Sequence, residues 1–116
     1  MQDHIIKQED GIRFRKGIIR KPKGELFLNP KELYFQSKGK EYFRIPLSQI
    51  TNVRAKKGFG SGVELMTVSY KASTKPEKVE LEYTSLAGWA MGQAARLQPL
   101  YFATWEKAID DARKGE

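Results

Sequence analysis

The chain has no cysteine and a single histidine, His4, among its 116 residues. Without thiols it can build neither a disulfide framework nor a thiolate metal site. One histidine near the N-terminus cannot assemble a Ser-His-Asp triad or a histidine cluster around a metal. No apolar run approaches the roughly 18 residues of a membrane-spanning segment. The opening MQDHIIKQED lacks the apolar stretch of a signal peptide. The glycine-rich run Gly58-Phe59-Gly60-Ser61-Gly62 lacks the Gly-Lys-Ser/Thr ending of a Walker phosphate loop. Carboxylate catalysis fares no better. Glu80 and Glu82 share a strand face that alternation points at solvent, and Asp110 and Asp111 occupy adjacent helix positions that do not face each other. The expectation is a non-enzymatic, cytoplasmic protein without metal or cofactor, with peripheral membrane contact as an option.

What the chain does have is positive charge. Lys and Arg number 21 against 14 Asp and Glu, for a formal charge of +7. The excess is uneven: Arg13, Arg15, Lys16, Arg20, Lys21 and Lys23 follow one another with no acidic residue between them. Arg54, Lys56 and Lys57 form a second group just before the glycine-rich run. A basic surface attracts nucleic acid, anionic membrane or acidic protein without distinguishing among them. A charge run can equally be no more than a solvated face.

The apolar pattern is that of short strands followed by helix. Ile12 to Lys21 begins as a two-residue alternation, broken at Ile18-Ile19, where Gly17 marks an expected bulge. Pro22-Lys23-Gly24 reads as a turn. Leu26–Leu28 and Leu33–Gln36 are hairpin arms around Asn29-Pro30, and Lys38-Gly39-Lys40 turns the chain into Tyr42–Ile45. Pro46 ends that strand or places it at a sheet edge. Ile50–Ala55 and Val63–Tyr70 are further strands, and Val79-Glu80-Leu81-Glu82-Tyr83 alternates with its apolar side inward. About seven short strands favour a sheet that curls or closes. Pro99 then opens a helix on which Phe102, Trp105, Ile109 and Ala112 share one face, with Trp105 as a core anchor. The intervening SLAGWAMGQAARL is also helix-like, with Ser85 as its cap. Residues 1–11 are expected to be a flexible N-terminal segment and 12–116 a single domain.

The run Gly24-x-Leu26-x-Leu28, Leu33-x-Phe35, Ile45-Pro46-Leu47-x-x-Ile50-x-x-Val53, then a late strand and a tryptophan-bearing helix, resembles the GRAM and pleckstrin-homology (PH)-like family. The likeness spans roughly residues 12 to 113. It implies a mainly β fold: a seven-stranded, strongly bent antiparallel barrel or sandwich capped by a C-terminal α-helix that carries Trp105 as a packing residue. The helical stretch at about 85–98 departs from the usual module as an insert. The resemblance also implies binding rather than catalysis, with phosphoinositides, anionic membranes or proteins as ligands.

Lipid-binding members of the family place basic residues around the first hairpin, and Arg20, Lys21 and Lys23 occupy the matching turn. Glu25 stands where that pattern has arginine, which argues against selective recognition of one headgroup, since such recognition needs converging charge-assisted donors. Diffuse attraction to anionic lipid needs only clustered charge. The membrane reading therefore takes Arg20, Lys21, Lys23, Lys56, Lys57 and Phe59 as contacts, with Phe59 at the tip of the glycine-rich run. That run is also read, in preference, as a flexible hairpin connection with Phe59 folded back on the barrel. The alternative is a protein-interaction adaptor using the outer sheet face or Trp89 and Met91 as apolar anchors. A nucleic-acid-associated basic domain is a third reading, without an RNA-recognition aromatic motif to support it.

Overall fold

Seven antiparallel strands form one sheet in the computed structural model, which describes residues 5–15, 21–58, 63–84 and 101–115. They are β1 (Lys7–Phe14), β2 (Lys23–Leu28), β3 (Glu32–Ser37), β4 (Lys40–Pro46), β5 (Ile50–Lys57), β6 (Val63–Ala72) and β7 (Lys75–Thr84), followed by helix α1 (Tyr101–Lys114). Their order across the sheet is β4-β3-β2-β1-β7-β6-β5. Seven antiparallel strands and a C-terminal helix are the mainly β, helix-capped architecture that the family resemblance implies. Of the expected features, the bulge at Gly17 and the helical insert at about 85–98 lie outside the described residues.

The order dictates a bend. The edges β4 and β5 are consecutive in sequence and joined only by the 3-10 turn Leu47–Gln49. Four Cα steps from Pro46 to Ile50 reach about 14 Å. Six strand spacings in a flat sheet would separate the edges by about 29 Å. The sheet must therefore curl until its two ends meet, and β1 is where the halves join. It pairs with β2 from Lys7 to Arg13, but with β7 only through Arg13–Glu82 and Phe14–Leu81.

β1 starts at Lys7, five residues ahead of the Ile12 start read from the sequence, inside the segment assigned to a flexible N-terminus. Lys7–Asp10 has no apolar alternation to betray a strand. Its backbone nonetheless pairs with β2, and Gly11 at φ +74° takes up the register shift between Glu9 and Ile12. The Asn29-Pro30 turn forms as expected: buried Asn29 accepts the amides of Lys31 and Glu32 on Oδ1 at 2.8 and 2.7 Å. The β3–β4 hairpin turns on Lys38 (φ 52°) and Gly39 (φ 79°), the paired positive angles of a two-residue hairpin loop.

Alternation delivers one core from both halves. Leu26, Leu28, Leu33, Phe35 and Ile45 meet Val53, Met66, Val68, Val79 and Leu81 across the interior. Helix α1 closes it with Phe102, Trp105 and Ile109, each fully buried, against β5 and β6. The periodicity expected of the helix is thus met.

Gly24 plays a different part from the one its turn-like surroundings suggest. It is a β2 residue opposite Ile12, and a Cβ there would lie 2.1 Å from the Gln36 carbonyl oxygen. The glycine is needed for close approach of β3, not for a left-handed angle. Gly24→Ala is expected to destabilise the domain by about 2 kcal/mol or more through overpacking. Gly39→Ala has open space around its Cβ and should lose only about 1 kcal/mol to its positive φ. Urea midpoints of the two variants check the ranking.

Candidate anion-binding face

Directly opposed residues in an antiparallel sheet point to the same side. The pairs Lys23–Arg13, Arg13–Glu82, Glu82–Leu65 and Leu65–Lys56 therefore run as one row across β2, β1, β7, β6 and β5. The adjacent row, Phe14–Leu81–Met66–Ala55, faces the core. Alternation accordingly turns the lysine row outward, and Lys23, Arg13 and Lys56 are all exposed. Four strand spacings of about 5 Å put roughly 19 Å between its terminal lysines along the sheet surface. A parallel outward row carries Arg54, Thr67 and Glu80. The Glu80 carbonyl accepts the Arg15 amide at 2.9 Å, which extends β1 by one residue.

Two carboxylates sit among these cations. Glu80 pairs with Arg15, and Glu82 with Lys21, whose Nζ lies 3.3 Å from Oε1. Both cations keep about a third of their side chains open to water, although Glu82 is half-buried, so each pair is worth about 1 kcal/mol. An external anion has little to overcome in displacing either one.

The sequence-expected residues separate accordingly. Lys23 and Lys56 share the outward row. Lys21 borders it but is already held by Glu82, and its carbonyl lies 3.5 Å from an Arg13 guanidinium nitrogen. Lys57 lies opposite Glu64, on the other side of the sheet from Lys56. Arg20, Phe59, Trp89 and Met91 lie outside the described residues. Arg13 and Arg54 were visible in the sequence as members of charge runs. Their alternation with Ile12 and Phe14, and with Val53 and Ala55, is the signal that assigns them to this face.

The outward side of β2–β4 has a different character. Phe27 stacks on Tyr34 at 4.8 Å and 9°, and the Arg44 guanidinium lies 4.2 Å above Tyr34. Arg44 is gripped by Glu41 and Glu32 at 2.7 and 2.6 Å. Its hydrogen bond with Glu41, and then that with Glu32, holds it charged beyond the ordinary arginine range. Elsewhere, a shallow cleft between the 3-10 turn and the end of α1 is lined by Leu47, Ser48 and Arg113, with Asp110 pairing Arg113 at 3.3 Å.

At the start of α1 the polar groups serve the helix. Glu64, in the core-facing set of β6 and only 8% exposed, accepts the amides of Tyr101 and Phe102 at 2.8 and 2.7 Å. It thereby satisfies two of the unpaired N–H groups of the first turn and complements the helix dipole. The Tyr101 hydroxyl donates to Glu9 and accepts from the Trp105 indole at 3.2 Å, while the Lys7 ammonium lies 5.4 and 5.3 Å from the Tyr101 and Trp105 ring centres. Among the described residues, no buried polar side-chain atom lacks a partner.

No protein-family model matches the chain, and no curated protein sequence matches it. Solved structures do. The Vps36 N-terminal PH domain aligns with 94% of this chain and 80% of its own, at 19% identity and a TM-score of 0.57. A chain from the complex of human RhoA with the DH/PH fragment of PDZRHOGEF aligns over 98% of this chain and 30% of its own, at 11% identity and a TM-score of 0.63. At these identities the likeness is one of fold. The chain has the PH-like fold.

Two measurements test the helix anchorage. Glu64→Ala removes a buried acceptor from two amides and should cost about 2 kcal/mol or more in unfolding free energy, with Glu64→Gln intermediate. Burial, followed by the hydrogen bond to Glu9, raises the Tyr101 pKa well above the usual tyrosine value. The folded state thus favours the neutral hydroxyl, whereas an unfolded tyrosine ionises near pH 10 (about 10). Stability should be intact below that pH and fall as pH rises above it. The slope should be shallower in Tyr101→Phe, as read from denaturation curves at stepped pH.

Proposed function

We propose that this PH-like domain is a non-catalytic binding module that associates with anionic membrane surfaces or phosphorylated lipid through its basic face. The observation that carries the reading is the outward row that sets Lys23, Arg13 and Lys56 on one side of the sheet, with Arg54 in the parallel row. Exposed cations near an anionic bilayer each contribute about 1 kcal/mol. Contact would be peripheral: among the described residues, no helix is long and apolar enough to cross a membrane. The two PH-domain neighbours support a binding role for the fold, and neither their names nor their alignments specify a ligand for this chain.

A second reading has its own observation. The Phe27–Tyr34–Arg44 stack is an outward aromatic row, of the residue types enriched at protein interfaces. It supports the adaptor alternative, with the outer side of β2–β4 as the docking face.

Sedimentation with vesicles separates the two. The protein should pellet with phosphatidylcholine vesicles containing phosphatidylserine and stay in solution with phosphatidylcholine alone, and the bound fraction should collapse as salt rises. Lys23→Gln and Lys56→Gln should each weaken partitioning about fivefold. Equal pelleting with neutral and anionic vesicles would refute the electrostatic mechanism.

A further inference from the structure

The outward side of β5–β6–β7 holds more cation than the row just described. Ser69 opposes Lys78 and Lys71 opposes Pro76, which by alternation sets both lysines on the side of Thr67 and Leu65. Both are exposed. Arg13, Arg54, Lys56, Lys71 and Lys78 thus spread over a face that extends about 20 Å along β6 from Leu65 to Lys71. No ion pair among the described residues engages Arg54, Lys56, Lys71 or Lys78.

The shape of this face limits what it can bind. It is the outer surface of a curled sheet, hence convex, and its cations diverge. Arg54 and Lys56 are two residues apart along β5, and Arg54 is two strands from Glu80. A single multiply phosphorylated headgroup needs donors that converge, and a convex surface offers none. A fluid bilayer makes no such demand, because lipids move laterally to meet each cation. Nucleic acid fits less well: single strands are held by stacking on aromatic rings, and the outward positions of β5, β6 and β7 carry none. They carry instead Val63 and Leu65, half-buried and apolar, at one end of the face, which suits the boundary between headgroups and acyl chains.

Resting on the membrane reading above, we propose that this convex face reads the lateral charge density of an anionic bilayer rather than the identity of one headgroup. Glu80 and Glu82 act as internal counter-charges that set the threshold. Each holds a cation of the same face, Arg15 or Lys21, in a weak, partly exposed pair. A sparsely charged membrane cannot compete for those cations, and a densely charged one can.

The test titrates the chain with vesicles whose surface charge is matched by electrophoretic mobility, one series made anionic with phosphatidylserine and the other with phosphatidylinositol bisphosphate. Partitioning should agree within about threefold at equal surface charge and rise steeply with anionic fraction, and millimolar soluble inositol trisphosphate should not compete. Glu80→Gln and Glu82→Gln should each raise partitioning about fivefold and move its onset to a lower anionic fraction, while Arg54→Gln and Lys71→Gln lower it by a similar factor. Thermal melts of the same variants confirm folding. More than tenfold preference for the bisphosphate series at equal charge, competition by the soluble headgroup, or tighter binding to duplex or single-stranded DNA would overturn the inference. Binding to anionic vesicles that none of the four substitutions alters, but that Lys23→Gln or Lys56→Gln still weakens, would reject the charge-density threshold and leave the membrane reading standing. Absence of binding to any anionic vesicle would reject both.

Discussion

Leu47, Ser48 and Gln49 must carry the chain from the last strand of one half-sheet to the first strand of the other, and the span available to them is less than half the width of the flattened sheet. That short link, more than any single contact, decides the shape of the molecule. It forces the sheet to close on itself, so that the alternating apolar residues of β2–β4 face those of β5–β7 across a shared interior. Once the sheet is curled, its remaining opening is filled by α1, and the position of α1 is set by groups that belong to strands. Glu64 on β6 takes up the first amides of the helix, Glu106 reaches back to the Ala55 amide of β5 at 2.9 Å, and Glu9 on β1 holds Tyr101. Three carboxylates from a chain of net positive charge are thus committed to holding one helix.

The same curvature divides the outer surface into two unlike territories. Over β2–β4 the outward side chains satisfy one another: Gln8 donates to Glu25, and Arg44 is shared between two glutamates above a stacked aromatic pair. Over β5–β7 and the end of β1, cations outnumber carboxylates, and the carboxylates present engage only Arg15 and Lys21. Among the described outward-facing strand residues, cations without a carboxylate partner therefore gather over β5–β7. The neighbouring structures share the fold at identities too low to carry a ligand across, so the distribution of charge is the better guide to binding.

Much of this was legible in the sequence. Leu26, Leu28, Leu33 and Phe35 are periodic and flanked by turn residues, and all four are buried. Phe102, Trp105 and Ile109 keep helical spacing and share the core. Local pattern suffices where a residue's environment is set by its neighbours in the chain. It fails where the environment depends on register between distant strands. Lys56 and Lys57 look like one cluster, but a strand sends them to opposite sides. Lys23 and Lys56 lie far apart in sequence and become level only through four successive pairings. Glu64 reads as exposed by type, yet it sits in register with Met66 and Val68 and is buried because a helix end needs an acceptor there. The polar opening of β1 offers no periodicity at all, and its strand is induced by the free edge of β2.

The bond from the Ala55 amide to Glu106 has a consequence for how the protein fails. β5 ends the sheet, and its outward amides are a template for pairing with another chain. The helix screens that template at Ala55, whereas β4 protects itself with Pro46, an irregular register and the charges of Lys40, Glu41 and Arg44. Detachment of α1 therefore uncovers two hazards in one event: the apolar floor beneath Phe102, Trp105 and Ile109, and the unscreened edge of Ile50–Lys57. The species with the helix undocked is the one primed to aggregate, which makes the grip of α1 on the sheet a determinant of the protein's solubility as well as of its stability.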